Sequence, residues 1–269
     1  MSLRTGELER YLEIARKIAI AAGTEVLKLF RSADLLIENK GTTNLDPVTF
    51  ADRLAERFII DEIQKYFPDD GITGEEYGKI EGSSLVHWVI DPIDGTRAFI
   101  SGVPAWTILI AVNDGTRPVI GVIYQPFTEE LFYGSRNYAF YELKGKRKRI
   151  HARKCEGLSS SIMFSTHPEI GNELEYNQFK EINNKVMLTR YGFDCYAHAM
   201  LAMGLIDVVM EAGLKSYDIQ APQALIVAAG GNVTSWTGAD PQFGGTFLAT
   251  GDENIHEEIL SLLAGSRHM

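Results

Sequence analysis

Apolar residues recur every three to four positions over residues 8–30, with Leu12, Ala15, Ile18, Ala19, Ala22, Val26 and Leu29 on one stripe; the spacing predicts a long amphipathic helix against a core. A second helix is expected over residues 48–67, where Leu54, Phe58, Ile59 and Ile63 repeat at helical spacing. The run at residues 85–90 reads as a buried strand. From residue 107 the period drops to two, and strands are expected at 107–112, 118–124, 130–133 and 138–141, separated by Asn-Asp-Gly, Pro and Gly-Ser turns. Four short strands joined by tight turns predict an antiparallel meander.

Beyond residue 150 helices and strands alternate. Strands are expected at 161–164, 186–188 and 208–211, and helices at 171–184, 195–204 and 221–229, the last ended by Gly230-Gly231. The pattern predicts a layered α+β and α/β sandwich in two closely packed halves. Residues 1–145 form an α+β half and residues 146–265 an α/β half, with no linker or repeat between them.

The chemistry concentrates where the 85–90 strand ends. Asp91-Pro92-Ile93-Asp94-Gly95-Thr96 places two carboxylates, a backbone carbonyl and a hydroxyl within six residues, at the end of a strand where α/β sheets present ligands. Such oxygen donors are hard ligands suited to Mg²⁺ rather than to zinc or copper. Asp-Pro and Asp-Gly also serve simply to end a strand and turn the chain. Three further acidic elements favour the metal reading: Asp46 to Asp52 at the start of the second helix, Glu75-Glu76 between glycines, and Asp218 after Tyr217.

In this order, Asp46-Pro47-Val48-Thr49, Gly74-Glu75-Glu76, the Asp91 to Thr96 motif, and Tyr217-Asp218 followed by Ala229-Gly230-Gly231 resemble the inositol monophosphatase family of Mg²⁺-dependent, lithium-sensitive phosphatases. The resemblance implies the layered fold shared with fructose-1,6-bisphosphatases, two or three Mg²⁺ per site and a homodimer. It implies that Glu75, Asp91 and the Ile93 carbonyl hold one Mg²⁺, and that Asp91, Asp94 and Asp218 hold a second. Thr96 would position the attacking water, with Asp46 accepting from its hydroxyl and Glu75 assisting. The Gly95 and Thr96 N–H groups would bind phosphate oxygens. Lys40 matches a basic position near the metals and reads equally well as a solvated loop lysine.

Paired divalent cations suit the demand of the reaction. Phosphate monoester hydrolysis needs up to ~10²¹-fold acceleration, whereas a lone general base supplies roughly 10²- to 10⁴-fold. Two cations about 3.5–4 Å apart stabilise both the attacking and the leaving oxygen.

Composition narrows the partners. A net charge of −10 disfavours nucleic acid, and the basic run from Lys144 to Arg149 reads as a solvated hairpin tip. No apolar run approaches the ~18 residues that span a bilayer, and the charged first ten residues are unlike a signal peptide; cytoplasmic residence is the expectation. The two cysteines, Cys155 and Cys195, have no Cys-x-x-Cys spacing and suggest neither disulfides nor thiolate metal ligation.

Substrate choice rests on departures from the typical family pattern. Arg97-Ala98-Phe99 follows the motif where Asn-Phe is usual, and Tyr217 replaces Trp before the last acid. With Gly192 to Tyr196 and Glu211 to Asp218, these residues resemble the histidinol-phosphate phosphatases of the same fold. Asp194 and Glu211 would then face the substrate's ammonium and imidazole, although Asp194 would serve equally as a helix N-cap. The expected reaction is hydrolysis of L-histidinol phosphate. Inositol 1-phosphate is the first alternative, other sugar or nucleotide phosphates follow, and a non-catalytic binding protein of this fold comes last.

Overall fold

The computed structural model describes residues 3–33, 37–39, 47–136 and 138–265. In chain order the strands are β1 (Ile37–Asn39), β2 (Pro47–Thr49), β3 (Gly71–Gly74), β4 (Gly78–Ile80), β5 (His87–Asp94), β6 (Thr107–Asn113), β7 (Pro118–Gln125), β8 (Glu130–Ser135), β9 (Tyr138–Leu143), β10 (Lys146–Ile150), β11 (Ile162–Ser165), β12 (Leu188–Tyr191), β13 (Val208–Lys215), β14 (Asn232–Thr234) and β15 (Gly244–Thr250). The helices are α1 (Thr5–Leu27), α2 (Phe50–Tyr66), α3 (Thr96–Ile100), α4 (Glu173–Asn183), α5 (Asp194–Ala202), α6 (Ser216–Ala228) and α7 (Glu253–Gly265).

Alternation along the buried strands builds five layers. Strand β6 is buried at all seven positions. Its Ile108, Ile110 and Val112 pack with α1 and α2 residues such as Ile18, Ala22, Ile59 and Ile63. The intervening Leu109 and Ala111 pack on the opposite face with α5 and α6, through Leu201, Leu225 and Ile226. That middle helical layer also meets Val209, Phe247 and Ala249 of a second sheet, whose far face buries Val208, Met210 and Leu248 against α4 and α7. The order is helices, sheet, helices, sheet, helices, so both sheets bury both faces.

The first sheet has the order β10-β9-β8-β7-β6-β5-β3-β4 and is antiparallel except for the β3–β5 pair. The second has the order β12-β11-β13-β15-β14, with β11 parallel to both neighbours. The meander from β6 to β9 forms as the sequence pattern predicts.

Several boundaries differ from the sequence reading for identifiable reasons. Helix α2 begins at Phe50 because the Thr49 side chain accepts the Ala51 N–H and Asp52 reaches back to the Thr49 N–H, a capping box; the preceding residues are strand. The basic run is a tip only at Lys144 and Gly145, whose φ values of 49° and 74° suit a tight hairpin turn. Residues 146–150 form edge strand β10, which extends the first sheet to Ile150. Helix α6 starts at Ser216, which puts Asp218 in its first turn.

Close packing of α6 on β7 depends on Gly121. A Cβ there would lie 2.1 Å from the Ala221 carbonyl oxygen. Gly121→Ala is therefore expected to displace α6, lower stability by about 1–3 kcal/mol in urea unfolding, and weaken divalent-cation binding because α6 carries Asp218. Unchanged stability would show that α6 does not sit this close to the sheet.

Candidate metal and phosphate site

Strand β5 delivers two acids to one place by breaking its own alternation. In a regular strand residues three apart point to opposite faces. Here the pairing with β6 slips, with Asp91 opposite Leu109 and Asp94 opposite Thr107, so three steps on β5 match two on β6. The bulge at Pro92-Ile93 changes the phase. Carboxylate oxygens of Asp91, Asp94 and Asp218 consequently lie within 4.8 Å of one another.

Each acid is held by backbone. Asp91 Oδ1 accepts the Ile93 N–H at 3.0 Å. Asp94 Oδ2 accepts the Cys195 N–H at 2.7 Å, at the start of α5. Asp218 Oδ2 accepts the Lys215 N–H at 2.6 Å as part of the α6 cap. The amino ends of α5 and α6 thus both point toward the acids, where helix dipoles favour negative charge. Pro222 cannot donate to the Asp218 carbonyl four residues earlier, and the Cys195 Sγ–H donates to that oxygen instead at 3.3 Å. Cys195 is buried packing, as its helical context suggests.

These acids, with Glu75, Ile93, Gly95, Thr96, Asp194 and Glu211, line one cavity of about 930 Å³. The structure therefore brings together every site residue expected from the sequence except Asp46, which lies outside the described residues, as does Lys40. Among the described residues, Thr96 Oγ1 lies 3.2 Å from Asp52 Oδ1 and 3.1 Å from the Ile93 carbonyl, its one hydroxyl hydrogen serving one of them at a time. Asp52 is buried and its other oxygen accepts from the Thr49 N–H and hydroxyl at 2.7 and 2.5 Å. Glu56, one turn later and fully buried, accepts the N–H groups of Glu76 and Tyr77 at 2.8 Å each and so holds the loop that carries Glu75.

Glu56 was not among the expected site residues, and Asp52 entered only as the end of the acidic element that begins at Asp46. Their signal is that Asp52, Ala55, Glu56, Ile59 and Ile63 share one face of α2, so two carboxylates stand on its apolar side. Buried Asp and Glu are seldom found without partners.

At the cavity's other wall, Gly95 adopts φ 85°, and a Cβ there would lie 3.0 Å from Asp194 Oδ2. Asp194 itself has φ 42°, an uncommon conformation for a non-glycine residue at a helix start. The buried Glu211 accepts the Thr166 N–H and hydroxyl at 2.7 and 3.0 Å, fixing the end of β11 and the loop beyond it.

Burial first, then the charges of Glu75, Asp94 and Asp218, drives the Asp91 carboxyl well above its ordinary range. Burial followed by Asp194 and Asp218 does the same to Asp94. Burial pushes Asp218 and Asp194 each up to about 6, and Glu211 up to about 8. Among the described residues none of Asp91, Asp94 and Asp218 forms a salt bridge with Lys or Arg. An all-oxygen donor set whose charges oppose one another in a desolvated pocket fits a hard divalent cation.

The chain matches the model of the inositol monophosphatase family over residues 7–268. It is 34% identical to the bifunctional phosphatase IMPL2, chloroplastic, of Arabidopsis thaliana, over 96% of this chain and 76% of that protein. It is 29% identical to a histidinol-phosphatase of Streptomyces coelicolor, over 94% and 96% respectively. An inositol monophosphatase structure from Zymomonas mobilis superposes with a TM-score of 0.83 at 33% identity, covering 95% of this chain and 98% of that one. No helix among the described residues is long and apolar enough to cross a membrane.

In the metal-free chain the raised carboxyls have a defined effect on stability. An unfolded Asp titrates near ~3.9, whereas Asp194 and Asp218 titrate at about 6 in the fold. The native state then binds more protons between roughly pH 4 and pH 6, and stability falls as pH rises through that window. Asp94→Asn, measured without metal near ~pH 7.5, is expected to be more stable than the parent by on the order of 1 kcal/mol and to lose the rise in Tm that Mg²⁺ gives the parent. A metal-free variant less stable than the parent would show that repulsion does not dominate the site.

Proposed function

We propose, from the fact that the chain belongs to the inositol monophosphatase family of phosphatases, that it hydrolyses L-histidinol phosphate to L-histidinol and phosphate. The observation that carries the phosphatase chemistry is the convergence of Asp91, Asp94 and Asp218 within 4.8 Å, beside the Thr96–Asp52 pair. Glu75, Asp91 and the Ile93 carbonyl would hold one Mg²⁺, and Asp91, Asp94 and Asp218 a second, with two or three ions per site. Bound there, the cations would activate water and neutralise charge on the leaving oxygen.

The protein's own groups do the positioning. When Asp52 takes the Thr96 hydroxyl hydrogen, the Thr96 oxygen is left to accept from the attacking water and aim it at phosphorus. Glu75 stands at the same cavity to receive a proton from that water. The N–H groups of Gly95 and Thr96 hold phosphate oxygens, and the left-handed backbone at Gly95 supports their direction. Asp46, the expected acceptor, lies outside the described residues, and Asp52 is the described acid that meets the Thr96 hydroxyl.

Support for a cationic substrate comes from the far wall, where Asp194, Glu211 and Glu169 line the cavity. Oxygens of Asp194 and Glu211 suit the ammonium and imidazole N–H groups of histidinol. The histidinol-phosphatase relative supports the same choice. Inositol 1-phosphate is the second reading, supported by the Zymomonas neighbour, since inositol hydroxyls can also donate to Glu211. Lithium sensitivity, a homodimer and cytoplasmic residence belong to this reading.

Phosphate release with Mg²⁺ should be compared across histidinol phosphate, inositol 1-phosphate, fructose 1,6-bisphosphate and 3′-phosphoadenosine 5′-phosphate. The highest kcat/KM is expected for histidinol phosphate. Asp52→Asn should lower kcat by roughly 10²- to 10⁴-fold, and Asp194→Asn should chiefly raise KM. Turnover of inositol 1-phosphate faster by about an order of magnitude would overturn the substrate, and full activity in Asp52→Asn would overturn the role of Thr96.

A further inference from the structure

A second cavity, of about 740 Å³, lies between α1 and the outer strands β8, β9 and β10, and shares no lining residue with the acidic site. Sheet register explains its character. Tyr133 of β8 faces Phe140 of β9, which faces Arg149 of β10; one row on, Glu142 of β9 faces Arg147. Residues two apart share a face, so Tyr138, Phe140, Arg147 and Arg149 come to the same side as Tyr133. The rings of Tyr133, Phe140 and Tyr138 form a continuous row, with centroids 5.7 and 5.8 Å apart.

Cations are set against that row. The Arg16 guanidinium lies 4.1 Å above the Tyr133 ring and Arg147 lies 4.5 Å above Phe140. Arg16 also pairs with Glu142 at 2.5 Å, yet its Nε is buried without a hydrogen-bond partner. Four basic side chains, Arg16, Lys17, Arg147 and Arg149, line the cavity against two acidic ones, Glu9 and Glu13. Counting Glu142, which pairs with Arg16, and with Lys17 paired to Glu13 at 2.5 Å, the four basic groups face three acidic ones, a small positive excess in a chain of net charge −10. Opposite the rings, α1 contributes Leu12 and the exposed Ile20.

An aromatic and aliphatic interior with arginines at its rim matches a ligand with a planar apolar part and an anionic end. The volume falls within the ~300–1,000 Å³ of small-molecule sites, and guanidinium groups are the preferred partners of phosphate. We propose that this cavity binds a small phosphate-bearing molecule with an aromatic ring, of the nucleoside monophosphate class, with the ring between α1 and the Tyr133–Phe140–Tyr138 row and the phosphate at Arg147 and Arg149.

The test is calorimetric titration of the full chain in EDTA, where the uncompensated acids of the first site repel phosphate. GMP and UMP are the probes, with guanosine supplying a ring alone and ribose 5-phosphate a phosphate alone. Saturable binding of GMP or UMP with Kd below ~1 mM is expected, at least about tenfold tighter than guanosine or ribose 5-phosphate. Arg147→Gln/Arg149→Gln should weaken it by about tenfold or more while leaving phosphatase turnover unchanged. Lys17→Gln, on the exposed face of α1, should weaken it by roughly threefold and decides the matter if the double variant loses its circular dichroism spectrum. No saturable binding, equal affinity for ribose 5-phosphate, or binding unaffected by these variants would overturn the proposal.

Discussion

Mutual repulsion among Asp91, Asp94 and Asp218 is the constraint on which the site's architecture depends. Three carboxylates held within 4.8 Å in a desolvated pocket favour neither folding nor ionisation unless positive charge is supplied. The fold supplies part of it through the amino ends of α5 and α6, and through backbone N–H donors to each acid. The remainder calls for a cation. Two of the acids come from the first sheet and the third from the helix that follows β13 of the second sheet. The five-layer stack is therefore what brings them together, and α6 lies between the sheets as the connecting element.

A second tier of buried acids fixes the groups around that trio. Asp52 and Glu56 stand on the apolar face of α2, where isolated charges would be costly, and each is satisfied by several donors. One engages the Thr96 hydroxyl and the other the loop bearing Glu75, so a single helix sets the position of two separate site elements. Glu211 does comparable work on the opposite wall by pinning Thr166. Its carboxylate thus has a structural task in addition to any contact with substrate.

Much of this was legible in the sequence because the signals were local. Periodicity in residues 8–30 and 107–141 marked the long helix and the meander, and the Asp91 to Thr96 motif marked the end of β5. The layered fold followed from helices and strands in that order. What escaped was information carried by register and by helix faces. That Asp91 and Asp94 serve one cation was expected, but no spacing rule announced the bulge that turns them to one side, or that Lys146 to Arg149 would pair as a strand. The contact of Asp52 with Thr96 was hidden for a related reason: Asp52 lies inside a helix among alanines and isoleucines. Its capping pattern with Thr49 was visible, but its turn toward Thr96 depends on how α2 docks on the sheet.

If Asp91, Asp94 and Asp218 converge to hold a cation, a metal ion must be found between them. Anomalous diffraction from crystals of the full chain soaked in Mn²⁺, a substitute for Mg²⁺ with the same preference for oxygen ligands, tests it most directly. Anomalous peaks are expected between the carboxylates of Asp91, Asp94 and Asp218, with one also reached by Glu75 and the Ile93 carbonyl. A refined structure with no metal peak between these groups, their oxygens paired instead through shared protons or side-chain cations, would contradict it.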